Sequence, residues 1–385
     1  MANKSILVFA PHVLFPIRNG ADKYIHKKWT SAPDDVYVEL IYGDGVYKVE
    51  NGIFSKIAEF NKNKNKSLET IVKFILSREQ YLFHKYKTKD VVDYVEKIQI
   101  SKFDAVVCSF FSSYDLLKKY IKDDLNCLIE SHNFDPKIYF DRALESGFIK
   151  RQLYVSAAYR SYKSIVEAKK VNVCALGSAD LNMFNSVLSN SSVAFVGGIG
   201  CEKYLDRVDF PKENDCILSF VGSLGIQMNN HAIKKFINEK WQKIKERNKN
   251  TNLRIIGSSP SKDLIELAGF DPSISVHADV SDDELKFLVQ TSCATLIPFE
   301  SLNGLKLKMF MSIEMGVPFI SYKKLTNDDK LSEFSLVSDD SNDIADFLVK
   351  ASKKYFLRDS EIAFKDFCEK NSWAAHFSKS IHTVL

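Results

Sequence analysis

Lys306 and Lys308 stand two residues apart, just after Asn303-Gly304-Leu305 and at the start of a helix-like stretch that ends in Gly316-Val317-Pro318. Cations at a helix N-terminus oppose the helix dipole, so their presence asks for a reason. A bound diphosphate supplies one, because the ammonium groups neutralise it and donate to its oxygens. A solvated basic turn would look the same in sequence. A second phosphate-type cradle is Phe220-Val221-Gly222-Ser223-Leu224-Gly225, followed by Met228-Asn229-Asn230 at a helix start. Such a loop turns backbone amides and a helix N-terminus toward an anion. A weaker signal lies at Gly20-Ala21-Asp22, where one glycine joins a strand-following loop to a helix; an ordinary βα connection would serve equally. The run Leu128-Ile129-Glu130-Ser131-His132-Asn133-Phe134-Asp135 carries Glu130 and His132 to the carboxyl end of a strand, where doubly wound sheets place ligands. A histidine there either positions a sugar hydroxyl or simply packs.

The elements that position these groups are short apolar runs. Residues 5–11, 36–42, 103–109, 126–131, 171–176 and 193–196 read as strands, and after Asp215 the pattern restarts at 216–222, 253–257, 274–278, 293–298 and 317–321. Runs without alternation suit parallel strands covered on both faces. Helix-like segments lie between them, such as Asn230 to Arg247 with Ile233, Phe236, Ile237, Trp241 and Ile244 on one side. Two blocks of strand–helix alternation mean two α/β doubly wound, Rossmann-like domains. The seam falls at Gly197-Gly198-Ile199-Gly200, which gives residues 1–200 and 201–371, with a terminal helix at about 372–385. A lysine-rich insertion from about Ser55 to Gln99 is expected to be helical.

With 385 residues, 45% hydrophobic and 26% charged, the chain is an ordinary folded protein of two-domain size. Its net charge of +4 is too mild to argue for nucleic acid, and no nucleic-acid partner is expected. No apolar run reaches the roughly 18–20 residues of a membrane span, and the first residues turn polar too soon for a signal peptide. The seven cysteines form no CxxC pair and sit in apolar strands, as buried thiols of a reducing compartment do. A cytoplasmic location is expected. The acidic pairs Asp34-Asp35, Asp123-Asp124, Asp282-Asp283 and Asp339-Asp340 read as caps and loops, and no metal site is expected.

Taken in order, these segments resemble the GT-B glycosyltransferases, and more closely the family-4 retaining bacterial enzymes of surface polysaccharide synthesis. The resemblance rests on Pro16 to Asp22, Glu130 to Asp135, Leu176-Gly177-Ser178-Ala179-Asp180, Phe220 to Leu224 with Asn229 and Trp241, Gly304 to Ser321, and Asn371-Ser372-Trp373. It implies two domains facing a cleft, with a nucleoside diphosphate sugar as co-substrate, no cofactor and no metal. The second domain would hold the donor through Gly222, Ser223, Asn229, Val280, Gly304, Leu305, Lys306, Lys308 and Glu314. Lys306 and Lys308 would meet the diphosphate and Val280 the base. Gly20 would close over the diphosphate, and His132 would be the catalytic residue at the transferred sugar. The acceptor would be a glycan or a lipid-linked saccharide. The final helix would cross back onto the first domain.

One departure stands out. The family usually places two glutamates eight positions apart around the lysine loop, the second on the ribose; here those positions hold Asn303 and Met311. A thioether accepts a ribose hydroxyl poorly. Glu314, three residues on, and Glu300, three before Asn303, are the candidate replacements. Two other readings therefore stay open: a catalytically silent GT-B subunit, and a sugar-nucleotide epimerase or inverting transferase using Glu130 or Asp135 as base. The charge distribution adds one more expectation. Residues 56–97 hold ten Lys/Arg against six Asp/Glu, and residues 136–170 hold eight against three. With the apolar positions 68, 71, 72, 75 and 76, this is the pattern of a helix on an anionic membrane surface. A helix packed on its own domain with solvated lysines has the same pattern.

Overall fold

Continuous apolar runs bury both faces of a strand, and here they pair side by side in the same direction. The computed structural model describes residues 4–10, 15, 17, 20–61, 67–122, 125–206, 216–300, 307–325, 328–382 and 385. The chain divides into two compact units. One comprises Met1–Gly200 and Trp373–Leu385, the other Cys201–Leu302 and Lys306–Ser372.

The first unit begins β1 (Lys4–Phe9), α1 (Gly20–Thr30), β2 (Val36–Tyr42), β3 (Gly45–Glu50) and β4 (Ile53–Glu59). Helices α2 (Ser67–Leu76), α3 (Tyr81–Tyr86) and α4 (Lys89–Lys97) follow. It continues β5 (Ala105–Ser109), α5 (Phe111–Leu117), β6 (Asn126–Ser131), α6 (Asp135–Leu144), α7 (Phe148–Glu167), β7 (Asn172–Ala175), α8 (Ser178–Val187) and β8 (Val193–Val196). The sheet order is β4-β3-β2-β1-β5-β6-β7-β8. From β2 to β8 the neighbours run parallel, whereas β2-β3-β4 is an antiparallel meander. The expected helical insertion from Ser55 is thus partly wrong. Ile53–Glu59 is a strand, turned back by Asn51 and Gly52 at φ 49° and 73°. Two successive left-handed residues are what a tight hairpin turn requires, and Asn-Gly supplies them.

The second unit runs β9 (Cys216–Val221), α9 (Gln227–Phe236), a π-helical turn at Ile237–Trp241, α10 (Gln242–Arg247), β10 (Thr251–Gly257), α11 (Lys262–Gly269) and β11 (Ile274–Ala278). Next come α12 (Asp282–Gln290), β12 (Ala294–Ile297), α13 (Leu307–Glu314), β13 (Phe319–Ser321), β14 (Leu336–Val337), α14 (Ser341–Ala351) and α15 (Lys354–Lys370). Its all-parallel sheet has the order β11-β10-β9-β12-β13-β14. The last helix, α16 (Trp373–Ile381), belongs to the first unit, where it packs on α1.

In each sheet the first strand is flanked by strands leaving in opposite directions: β1 by β2 and β5, β9 by β10 and β12. Loops diverge there and leave a crevice at the strands' carboxyl ends. The strand interiors are mostly apolar, with Glu39, Glu130 and Ser219 among the buried exceptions, and all seven cysteines are buried and outside any disulfide. Among the described residues no helix is long and apolar enough to cross a membrane.

Candidate functional site

In the second unit the crevice brings together residues far apart in sequence. Lys308, one residue into α13, donates from Nζ to Oδ1 of Asn229 at 3.0 Å. The same ammonium lies 4.5 Å from the ring centre of Phe220 and 4.7 Å from that of Phe299. Asn229 is buried and donates its amide to the Ser223 carbonyl at 2.9 Å, which fixes the direction of its oxygen. A Cβ built on Gly222 would lie 2.6 Å from Lys308 Nζ and 3.2 Å from Asn229 Nδ2. With glycine at 222 the ammonium can sit directly over the backbone at the end of β9, where a larger residue would push it away. Ser223 completes the group, its hydroxyl accepting from Ser258 at 3.2 Å.

The amides are less available than the loop's sequence suggests. That of Gly222 donates to the Ile256 carbonyl of β10, and those of Leu224 and Gly225 to the Ser258 carbonyl just after it. What this end of the sheet presents is therefore a cation held by an asparagine. Gly304, Leu305 and Lys306 lie outside the described residues, as does Asn303.

Val280 follows β11 and is partly buried against Ile256, Leu288, Val289, Met315 and Val317, in the same apolar cluster as Met311. The methionine at the expected ribose position is thus a packing residue beside Val280. Both candidate replacement carboxylates hold protein groups. Glu314 is buried and accepts from the Glu202 amide at 2.8 Å, while its carbonyl accepts from Leu205 at 2.7 Å. Exposed Glu300 pairs with Lys235 at 2.6 Å, which lowers its pKa. Trp241 donates to Asp271 at 3.0 Å and packs on Phe236.

In the first unit, β6 delivers His132 into an aromatic box. The rings of Tyr24 and Phe110 each lie 4.8 Å from the His132 ring, which is buried. Tyr24, on α1, shares a hydrogen bond with Nε2 of His376 at 2.9 Å, and His376 Nδ1 lies 3.1 Å from the Gly197 carbonyl. Burial, aided by the nearby Lys28 ammonium, pushes His376 down to about 3. A neutral ring then donates from Nδ1 to the carbonyl and accepts from the tyrosine at Nε2. Phe110 adopts φ 75°, ψ 155°, a region open essentially to glycine alone, and its amide donates to Glu130 at 2.9 Å. Holding a phenylalanine there costs about 1–3 kcal/mol, and such strain clusters at functional sites.

Glu130 itself is sealed. Its carboxylate pairs with Lys28 of α1, both side chains fully buried. Asp135 opens α6, and burial together with the Asp180 carboxylate pushes it up to about 7. Asp180 also accepts the Phe134 amide at 2.9 Å. Gly20 is the first residue of α1. Sequence reading missed Tyr24, Lys28, Phe110 and His376. A signal existed for one of them: Lys28 shares the buried face of α1 with Tyr24, Ile25 and Trp29, where a lysine needs a partner. Among the described residues no three His, Cys, Asp or Glu side chains cluster as metal ligands do.

Residues 215–353 match the family model of glycosyl transferases, group 1. The second unit carries a group 1 glycosyltransferase domain. No curated protein matches the chain in sequence. Among solved structures it resembles WaaG, a glycosyltransferase involved in lipopolysaccharide biosynthesis, at 12% identity and a TM-score of 0.58 over 98% of both chains. It resembles the trehalose-6-phosphate synthase OtsA at 11% identity and a TM-score of 0.62 over 99% of both. It also resembles HepE of Anabaena in complex with UDP and glucose, at 8% identity and a TM-score of 0.56 over 99% of both. At such identities the likeness is one of fold, and the fold is GT-B.

Proposed function

We propose that this chain is a cytoplasmic glycosyltransferase that moves a sugar from a nucleoside diphosphate sugar to a glycan or lipid-linked acceptor in surface polysaccharide synthesis, with retention and without a metal. The observation that carries the reading is the Lys308 ammonium, fixed by Asn229 over Gly222 at the switch point of the second sheet. As the bond from sugar to phosphate breaks, negative charge grows on the leaving nucleoside diphosphate. A cation already oriented, in a site partly walled by Phe220 and Phe299, lowers that barrier because it need not reorganise. Lys306 and the loop at Gly304 and Leu305 would add to it. Val280 and Met311 offer the base and ribose an apolar wall. His132, held by Tyr24 and Phe110, would meet the transferred sugar, and Gly20 the diphosphate. Retention, metal independence and the acceptor class rest on the resemblance to family-4 enzymes. The names of WaaG and HepE, with lipopolysaccharide synthesis and UDP, point the same way.

Two observations bear on the other readings. The buried pairing of Glu130 with Lys28 argues against Glu130 as the base of an epimerase or inverting enzyme, and leaves Asp135 for that part. The packing of Met311, with Glu314 and Glu300 both engaged, favours a silent subunit as the second reading. The test incubates the protein with uridine, guanosine, adenosine and thymidine diphosphate sugars, with and without EDTA. Release of nucleoside diphosphate and the anomeric configuration of the product are followed by NMR. Slow release from at least one donor, unaffected by EDTA and with the anomer retained, is expected. No release, and no thermal stabilisation by any donor, would establish the silent subunit.

A further inference from the structure

The two aromatic walls of the His132 box are both tied to one residue, Glu130. The Phe110 ring stands 4.8 Å from the imidazole, and the Phe110 amide donates to the Glu130 carbonyl at 2.9 Å. The Tyr24 ring stands 4.8 Å away as well, and the helix that carries it meets the Glu130 carboxylate through Lys28. Spacing makes the two contacts of α1 a ladder. Tyr24 and Lys28 are four apart on the helix and share a face, while Glu130 and His132 are two apart along β6 and its end and share a side. Four helical residues advance about 6 Å and two extended residues about 6.6 Å, so the rungs Tyr24–His132 and Lys28–Glu130 close together at one level only. A slide of α1 along its axis opens both.

Different contacts hold the helix from the side and along its length. The Tyr24 hydroxyl bonds His376 of α16 at 2.9 Å, and Trp29 packs edge-on against Phe377 at 5.8 Å, so α16 holds α1 laterally. Ile25 and Trp29 are buried apolar residues, and apolar packing is non-directional and tolerates a small slide. The ion pair does not. Stability alone is no reason for it either. Both side chains are fully buried, and among the described residues Glu130 Oε2 has no hydrogen-bond partner. A buried ion pair with an unsatisfied oxygen loses in desolvation much of what it gains in attraction, and apolar residues of similar size are often as stable or more so. What such a pair supplies best is a fixed register.

We propose that Lys28 and Glu130 are positioning residues for sugar transfer: their buried ion pair fixes α1 lengthwise on β6 and so holds the Tyr24 ring against His132. Neither side chain reaches the substrate, since both are sealed from solvent. They act through the imidazole, whose direction is set by the rings on either contact. The inference rests on the reading of His132 as the residue that meets the transferred sugar, and it adds the pair that determines where that residue stands.

The test compares two double variants of the full chain. Lys28→Met, Glu130→Leu makes the pair apolar, whereas Lys28→Gln, Glu130→Gln keeps a directional amide hydrogen bond without charge. The Met–Leu variant should unfold close to the wild-type urea midpoint or above it, yet lose about 10- to 100-fold in kcat for donor turnover, the range for a reacting group misplaced by up to about 1 Å. Nucleoside diphosphate affinity should stay at the wild-type value, and the Gln–Gln variant should recover most of the kcat. A nuclear Overhauser contact between the His132 and Tyr24 rings is expected in wild type and Gln–Gln and should be lost in Met–Leu. A folded Met–Leu variant that keeps both kcat and the ring contact overturns the proposal. So does one no more stable than Lys28→Met alone, which makes the pair a stabilising element, and so does a loss of nucleoside diphosphate affinity in step with kcat. If wild type turns over no donor, the sugar-transfer reading falls, and the ring contact alone then decides whether the pair sets the register.

Discussion

Gly222→Ala tests the donor site more sharply than removal of the lysine. The added methyl carbon would lie 2.6 Å from Lys308 Nζ, against an ordinary contact of about 3.5 Å, so the ammonium must retreat by about 1 Å. The obstructed group is the free end of a flexible side chain, and the backbone at β9 need not move. Misplacing a catalytic charge by that distance costs on the order of 100-fold. Lys308→Ala removes the charge itself; a charge-assisted contact is worth roughly 1.5–3 kcal/mol, or about 10- to 150-fold in kcat/KM. Its cost in stability is one hydrogen bond to Asn229, about 1 kcal/mol. Because Gly222→Ala acts through the ammonium, the double variant should fall no further than Lys308→Ala alone. The assay is kcat/KM for the donor identified by nucleoside diphosphate release, with calorimetric titration of that nucleoside diphosphate. If the two losses multiply, the methyl is acting elsewhere. If Lys308→Ala stays within threefold of wild type, the phosphate assignment is wrong.

Tyr24→Phe keeps the ring against His132 and deletes the bond to His376, and should lower kcat while nucleoside diphosphate affinity stays unchanged; equal loss of both would place Tyr24 in the donor site. His376 has its pKa depressed from the usual 6.5 to about 3, so the unfolded chain binds one more proton between those values and stability is lost as pH falls through that window. Denaturant titrations from pH 7 to pH 4 should show that slope in wild type and a shallower one in His376→Gln. Lys28→Met strands the buried Glu130 carboxylate and should cost about 3–5 kcal/mol, most of it recovered in Lys28→Met, Glu130→Leu. Urea unfolding in which the double variant is as unstable as the single would show that the pair is not a closed unit.

Much of the sheet could be read from sequence, because parallel strands buried on both faces leave uninterrupted apolar runs. Residues 36–42, 126–131, 193–196 and 274–278 are strands within those same limits. The β3–β4 hairpin escaped because lysines dominated the reading of Lys56 onward, although Asn51-Gly52 announced the turn. In the donor site, Gly222, Asn229 and Lys308 were nameable because each sits where a strand gives way to a helix, and β9 and β12 are neighbours. The surroundings of His132 were not. Tyr24 and His376 are 352 residues apart, and no local pattern links a tyrosine on the first helix to a histidine on the last. The engagement of Glu314 with Glu202 was equally invisible, since a buried acid and a ligand-binding acid leave the same letter.

The buried thiols make the chain its own chronometer. A thiol with no solvent exposure reacts with an alkylating reagent only while its surroundings are open, so its labelling rate measures how often that happens. Cys108, Cys127 and Cys174 lie on adjacent strands of the first sheet, and Cys216, Cys293 and Cys368 are spread through the second unit. Peptide masses after timed alkylation would resolve the two sets, with no engineered probe. When opening is fast relative to labelling, each set reports its own equilibrium, and the ratio of rates gives the difference in opening free energy between the units. Adding a nucleotide would then slow only the thiols of the unit that binds it.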